Sequence, residues 1–274
     1  MSNITAAEVN KLRKATGAGM MDCKNALVEA NGDFELAIEN LRKKGQKVAA
    51  KRADRDSSEG AVIAMVNDNQ TKGVVISLNC ETDFVAKNES FVDLAKSFCK
   101  LALDCSTHDE LLSSNFESMT VAEKLIEQTG VIGEKLEIGG FEYVSSEYVG
   151  FYIHAGNKIA TLVGLSEKFE NASDVAKNVA MQVAAMNPIA LNKDGVDQSV
   201  IDKEIEIGKE QALKEGKPEN IIEKIAQGKL QKFFKDNTLL SQPFVKDNSM
   251  TIESYLGTFS SELNVDKFLR VSIG

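Results

Sequence analysis

A cysteine, a histidine and an aspartate are the residues of this chain that could form a catalytic site: Cys80, His154 and Asp83. A thiolate nucleophile, an imidazole base and a carboxylate that orients the base would together support hydrolysis through a covalent intermediate. The three groups must meet in space, and about 70 residues separate His154 from the other two. The triad is therefore one hypothesis among several.

Signatures of nucleotide, metal and serine chemistry are absent from the sequence. No GxxxxGK[ST] loop could hold phosphates, no GxGxxG follows a strand, and neither HExxH nor GxSxG occurs. The four cysteines form no CxxC pair, and only two histidines are present, which disfavours a zinc site. We therefore predict no cofactor, no metal, no catalytic residue and no nucleotide bound by the chain itself.

Asp83 and Phe84 are adjacent at a predicted junction between a strand and a helix. In one interpretation Asp83 caps the following helix and Phe84 lies in the core. In the other, Phe84 is exposed and acts as a wedge that enters a pocket of a partner, and Asp83 places negative charge near a bound cation. The sequence leaves both interpretations open.

Length, charge and hydropathy limit the class of protein. With 274 residues and 43% apolar residues, the chain can form two or three compact units. Its net charge of −9 disfavours nucleic acid as the main partner, and the basic residues of 42–55 are interpreted as a solvated linker helix. No apolar run approaches the roughly 18 residues of a membrane span, and the N-terminus does not resemble a secretory signal, so we expect a cytoplasmic protein.

Residues 1–45 are predicted to form three short helices. Thr5 and Glu8 make a capping box for the first helix. Asn31 and Gly32 form a left-handed stop after the second, and Gly45 is expected to end the third. A basic linker, 46–58, would follow this small helical domain.

A strand, a turn, a second strand and a helix occur twice, about 88 residues apart. Val74, Ile76 and Leu78 would lie on one face and Val75, Ser77 and Asn79 on the other, which is typical of a strand. We therefore predict an α+β fold with antiparallel sheets and two similar subdomains, 59–147 and 148–274.

The remaining segments are assigned to helices and to the second sheet. Capping boxes at Thr107 and Thr120 predict helix over 107–129, after which 130–148 would lead to the second sheet. Residues 198–235 have heptad-like apolar spacing on both sides of a Gly-Lys-Pro turn, which predicts an antiparallel coiled-coil hairpin. The tail, 244–274, is expected to return to the second sheet.

Two long segments resemble the signatures of a known family. LRKATGAGMMDCKNAL, residues 12–27, and NCETDFVAKN, residues 79–88, are similar to the two signatures of elongation factor Ts proteins. Shorter matches occur in the family's order at 153–154, at 242–245, and at Phe268 and Arg270. The resemblance covers essentially the whole chain.

The resemblance implies both a fold and a function. The fold would be a ubiquitin-associated-like N-terminal domain, a core of two similar α+β subdomains and a coiled-coil insertion. The function would be guanine nucleotide exchange: the protein would bind elongation factor Tu, disturb its magnesium and phosphate site, and promote GDP release during translation elongation. Only the partner would hold the nucleotide.

The resemblance also implies three contact regions, each carried over by motif position. The N-terminal domain would hold the partner's GTPase domain through Arg13, Met20, Met21 and Lys24. The exchange element would comprise Thr82, Asp83, Phe84 and Val85, with Ile132 and His154 beside it. Val245 would contact another domain of the partner.

Two other functions compete with exchange. The chain could be an interaction scaffold that binds a partner without driving exchange, which a buried Phe84 would support. It could also be a cysteine-dependent hydrolase or redox protein, in which case Cys80→Ser would abolish activity, whereas exchange would tolerate that change.

Overall fold

Three helices form the N-terminal part of the computed structural model, which describes residues 4–274. They are α1 (Ala6–Thr16), α2 (Met20–Glu29) and α3 (Phe34–Arg52). The predicted capping box is confirmed, because the Thr5 N–H donates to the Glu8 carboxylate at 2.7 Å and the Glu8 N–H donates to the Thr5 hydroxyl at 3.3 Å. The stop after α2 is confirmed too, with positive φ angles of 51° at Asn31 and 88° at Gly32.

The third helix is longer than the sequence predicted. It continues through Gly45 to Arg52, so the predicted end at Gly45 is wrong and most of the basic segment 46–58 is helical. Gly45 is a packing position, where α3 crosses a later helix, α7 (Val121–Ile132), at Gly130. Because neither residue has a side chain, the two helix backbones touch directly.

The first sheet has three antiparallel strands in the order β1-β2-β5. They are β1 (Glu59–Val66), β2 (Lys72–Cys80) and β5 (Glu137–Ser145). The predicted alternation in β2 is confirmed: Val74, Ile76 and Leu78 face one apolar cluster and Val75 faces another. The cluster that contains Val74, Ile76 and Leu78 is completed mainly by α5 (Glu89–Ala102) and α7. A short helix, α4 (Asp83–Ala86), connects β2 to α5.

The segment 107–145 departs from prediction in two ways. The predicted helix over 107–129 is interrupted: α6 (His108–Ser113) is followed by a small hairpin, β3 (Asn115–Phe116) and β4 (Met119–Thr120), before α7 begins. Glu117 turns this hairpin with a φ of 56°, and Phe116 packs edge-on against Phe98 with ring centroids 5.2 Å apart. The segment after α7 does not simply lead to the second sheet, because β5 completes the first.

The second sheet also has three antiparallel strands, in the order β10-β7-β6. They are β6 (Tyr148–Ile153), β7 (Ile159–Leu165) and β10 (Val265–Ser272). The tail therefore returns to this sheet as predicted. Helix α8 (Ala172–Met186) covers its outer face, together with segments that include β8 (Pro243–Phe244), β9 (Asp247–Thr251) and α11 (Ile252–Gly257).

The inner faces of the two sheets pack against each other. Val62 and Val75 of the first sheet share an apolar cluster with Val149, Ala160 and Leu162 of the second. Strands β1, β2 and β7 are thus buried on both faces, which explains why they are almost continuously apolar. Strands β5 and β10 keep polar and exposed residues. The α+β class is confirmed.

A helical hairpin projects from the second half of the chain. It consists of α9 (Gln198–Lys214) and α10 (Glu219–Asn237), joined by a turn in which Gly216 has a φ of 71°. Gly208 packs on Ala226, and Lys209 pairs with Glu223 at 2.5 Å. The predicted antiparallel arrangement over 198–235 is therefore present. Along residues 4–274, no helix combines the length and apolar character needed to cross a bilayer.

Candidate functional site

Phe84 projects into solvent from the first turn of α4. Its surface is 83% exposed, the largest fraction among the large hydrophobic residues of 4–274. The alternative in which Phe84 lies in the protein's own core is therefore wrong. An aromatic side chain this exposed contributes little to folding, but it can bury a large area in a partner.

Glu134 holds the segment that carries Phe84. Its carboxylate accepts hydrogen bonds from the Glu81 N–H at 3.2 Å, the Thr82 N–H at 3.0 Å and the Thr82 hydroxyl at 2.7 Å. Bonds from three donors to one charged acceptor fix the backbone immediately before α4. Thr82 is thus a support for the exposed ring, and Phe84 has a defined direction.

The Glu81 carboxylate forms a second set of bonds at the same place. It accepts from one guanidinium nitrogen of Arg52 at 2.7 and 2.9 Å and from the Lys135 N–H at 2.6 Å. The Lys135 N–H lowers the pKa of Glu81 below its usual range, and Arg52 lowers it further. Glu81 is therefore charged at neutral pH.

Asp83 does not cap α4, because Thr82 occupies the N-cap position and Asp83 is the first helical residue. The Asp83 carboxylate instead accepts a hydrogen bond from the Lys87 ammonium at 2.6 Å. This hydrogen bond is the main cause of a lowered pKa for Asp83. Asp83 therefore presents a partly exposed negative charge beside Phe84.

Val85 and Ile132 lie at the base of this element. Both are half-buried against the cluster formed by the first sheet and its helices, together with Ile153 at the end of β6. Ile132 ends α7 only two residues before Glu134, which places it next to the supported segment. Of the four residues 82–85, Phe84 is exposed and the other three are half-buried.

His154 is exposed at the end of β6, and its Nδ1 lies 3.1 Å from the Tyr152 hydroxyl. The hairpin after it docks on β1, where the Asn157 carbonyl accepts from the Val62 N–H at 2.7 Å. Lys158 forms an ion pair with Glu59, and Glu59 is opposite Cys80 in the first sheet. The strand end that precedes Phe84 and the hairpin that carries His154 therefore meet at one edge of the molecule.

Cys80 has the wrong environment for a nucleophile. It is buried, its thiol donates to the Thr82 carbonyl at 3.2 Å, and burial raises its pKa to about 12. A reactive cysteine needs a lowered pKa and access to substrate. The structure thus opposes the triad of Cys80, Asp83 and His154. Within residues 4–274, no group of three or more His, Cys, Asp or Glu side chains is arranged to hold a metal ion.

The predicted N-terminal contacts are all exposed. Met20 and Met21, in the first turn of α2, are 54% and 63% exposed, and Arg13 and Lys24 are exposed nearby on α1 and α2. Methionine adapts its shape to irregular apolar surfaces. These four side chains can form one mixed apolar and basic contact surface.

Val245 follows β8 and is 46% exposed. Its N–H donates to the side-chain oxygen of Gln182 at 2.8 Å, while the Gln182 amide nitrogen donates to Gln242 and to the Pro243 carbonyl, each at 3.1 Å. Gln182 is fully buried in α8. A buried amide thus fixes the backbone that presents Val245.

Sequence reasoning missed the supporting residues. Glu134, Arg52 and Gln182 have no motif of their own, and each acts on a segment more than 25 positions away. Only for Gln182 does a local signal exist, because a polar residue interrupts the apolar stripe of α8. Buried polar side chains of this kind require partners.

A rigid α+β frame with separate exposed apolar side chains on fixed supports is typical of a protein that acts by binding another protein. A sequence model of the family described as Elongation factor TS matches residues 81–274. Proteins named elongation factor Ts from Christiangramia forsetii, Flavobacterium psychrophilum and Amoebophilus asiaticus are 64%, 60% and 52% identical to this chain, over 99–100% of the chain and of each relative. The chain belongs to the elongation factor Ts family and has the role of a translation elongation factor.

Proposed function

We propose that this protein is a guanine nucleotide exchange factor that binds elongation factor Tu and accelerates release of GDP. Membership of the family supports the partner, and the exposed Phe84 on its fixed support carries the proposal for exchange. Translation takes place in the cytoplasm, so we place the protein there. The partner supplies the nucleotide site, and no covalent bond needs to be made or broken.

Phe84 would act as the wedge. The family resemblance directs it into an apolar pocket between helices of the partner's GTPase domain. Because the ring is already exposed, no element within residues 4–274 must move first. Residues 81 and 82 are already fixed by Glu134, so little ordering entropy is lost when the ring enters. Ile132 and His154 would line the edge of the same contact.

Displacement of a partner helix would weaken nucleotide binding. GDP in a GTPase is held by backbone N–H groups around its phosphates and by Mg²⁺ with its bound waters. Asp83 would add negative charge on the metal side and further loosen that shell. By thermodynamic linkage, nucleotide must weaken the binding of the exchange factor by the same factor, so excess GTP would displace this protein.

The two other regions would supply binding energy. Met20, Met21, Arg13 and Lys24 would hold the GTPase domain, and Val245 would contact another domain of the partner. A Phe84 buried in the protein's own core would have supported the scaffold alternative, but the ring is 83% exposed. That observation favours exchange.

Stopped-flow release of a fluorescent GDP from elongation factor Tu tests the proposal. Wild type should accelerate release, and Phe84→Ala should reduce the acceleration at least about tenfold, equivalent to about 1.4 kcal/mol. Because Phe84 is exposed, the free energy of unfolding of the Phe84→Ala protein should differ from that of wild type by less than about 0.5 kcal/mol.

Phe259→Ala is the matched control. Phe259 is also an exposed phenylalanine, but it lies beside α11 against Tyr255, with ring centroids 5.3 Å apart. This variant should accelerate GDP release like wild type. If wild type itself leaves the GDP release rate unchanged, the exchange function is wrong.

A further inference from the structure

Helix α3 connects the N-terminal helices to the part of the molecule that carries Phe84. Its first half packs on α2, which presents Met20 and Met21. Its last residue, Arg52, reaches the segment immediately before α4. The orientation of α3 therefore determines how the two proposed contact regions are placed relative to each other.

The middle of α3 is fixed by the crossing with α7. An alanine Cβ built at Gly130 would lie 2.4 Å from the Gly45 Cα. Such an approach leaves no room for the helices to slide closer. The middle of α3 also lies against α7 through Arg42 and Gln46. A second attachment beyond this contact would fix the C-terminal end of α3 as well.

Arg52 provides that second attachment about 10 Å further along the helix. One guanidinium nitrogen of Arg52 donates to both Glu81 oxygens, at 2.7 and 2.9 Å. The Glu81 side chain is only 16% exposed and that of Arg52 is 33% exposed, so solvent screens this pair less than a surface pair. Neighbouring bonds from Lys135 to Glu81 and from Thr82 to Glu134 attach the pair to the Phe84 segment.

We propose that Arg52 and Glu81 are positioning residues for exchange: their ion pair fixes the N-terminal contact surface relative to Phe84, so that both regions engage one partner molecule together. This inference rests on the proposed exchange function. Neither residue needs to touch the partner. The pair acts by setting the direction of α3.

The physical basis is the effective concentration of a second contact. When the N-terminal surface has bound, Phe84 is presented to its pocket at a concentration set by the rigidity of the connection. If the direction of α3 varies more without the ion pair, the same two contacts are aligned in fewer encounters, and fewer bound complexes have the wedge inserted. The maximal rate of GDP release should then fall more than the affinity of the initial complex.

The experiment is a double-mutant cycle on the maximal rate of GDP release from elongation factor Tu. Arg52→Met keeps the length and apolar stem of the side chain but removes the ion pair. The rate at saturating protein should fall about fivefold, with less than about a twofold change in the half-saturating concentration. In a background of Met20→Ala and Met21→Ala, the same change should have less than about a twofold effect, since the N-terminal surface no longer holds the partner.

Conservative changes distinguish positioning from general stability. Arg52→Lys should restore most of the rate, because a single nitrogen makes both bonds to Glu81. Glu81→Gln should behave like Arg52→Met, and it replaces that variant if Arg52→Met does not fold. Lys209→Met, which removes an ion pair with Glu223 on the projecting hairpin, is the control and should leave the rate unchanged.

Two results would overturn the proposal. One is an Arg52→Met protein that releases GDP at the wild-type maximal rate. The other is an equal effect of Arg52→Met with and without the methionine changes, which would show that the pair supports stability alone. Both results leave the exchange function intact, whereas absence of exchange by wild type would remove both proposals.

Discussion

Alanine at position 130 should drive α3 and α7 apart. A Cβ there would lie 2.4 Å from the Gly45 Cα, and carbon atoms in contact are normally about 3.5–4.0 Å apart. The helices must therefore separate by about 1 Å or more at the crossing. The obstacle is backbone, so no side chain can rotate to relieve it.

Two effects of opposite sign determine how much Gly130→Ala changes the free energy of unfolding. Alanine is favoured over glycine in a helix interior by about 1 kcal/mol. Overpacking of a close contact costs about 1–3 kcal/mol, and separation of the helices also removes packing around the crossing. We expect Gly130→Ala to lower the free energy of unfolding by about 1–2 kcal/mol.

The same substitution at two other helical glycines provides matched controls. A Cβ at Gly45 would lie 3.5 Å from the Ile126 carbonyl oxygen and 3.6 Å from the Gly130 Cα, which is ordinary contact. Apart from its chain neighbours and its own helix backbone, a Cβ at Gly228, in α10, would have no atom of residues 4–274 within 4 Å. Gly228→Ala should therefore raise the free energy of unfolding by about 0.5–1 kcal/mol, and Gly45→Ala should be neutral or slightly stabilising.

Urea unfolding followed by far-ultraviolet circular dichroism measures all three variants. The urea concentration at the unfolding midpoint should be highest for Gly228→Ala, intermediate for Gly45→Ala and lowest for Gly130→Ala. If Gly130→Ala is as stable as Gly228→Ala, the close crossing of α3 and α7 is wrong. The exchange rate of Gly130→Ala should also fall, because α3 would change direction.

Two further predictions concern ionisation. Because the pKa of Glu81 is lowered in the folded protein, its contribution to stability is complete above the ordinary glutamate pKa of about 4.3 and is lost as the pH falls through the lower folded value. In urea titrations, the difference in free energy of unfolding between wild type and Glu81→Gln should therefore shrink as the pH falls through that window. A difference that stays constant with pH would contradict the assignment. Because burial raises the pKa of the Cys80 thiol to about 12, iodoacetamide at about pH 8 should modify Cys80 far more slowly in the native protein than in urea. The Cys80→Ser protein should retain exchange. Rapid labelling of native Cys80, or loss of exchange in Cys80→Ser, would contradict this assignment.

Local signals were reliable where a few neighbouring residues decide the structure. The capping box at Thr5, the stop at Asn31 and Gly32, and the alternation along β2 are all present. Each depends on hydrogen bonds or side-chain directions within one element. The same local reasoning failed at Gly45, where a glycine that resembles a helix stop is a contact with a distant helix.

The segment 107–129 shows how a local signal can be correct and still mislead. Thr107 and Thr120 do cap helices, as predicted. The interruption between them follows from the position of Phe116, which packs on Phe98 in the first core. Burial of an aromatic side chain outweighs the small helix propensity of the intervening residues.

The sequence by itself determined the class of fold, most of the helices and strands and, through two long motifs, the family. Only the tertiary structure decided that Phe84 is exposed and that Glu134, Glu81 and Arg52 support the segment before it. Periodicity reports which face of one element is apolar, but burial depends on what other elements cover that face. No other element among residues 4–274 covers the Phe84 ring. The residues that fix its support come from α3 and from the segment after α7, so only the folded chain brings them together.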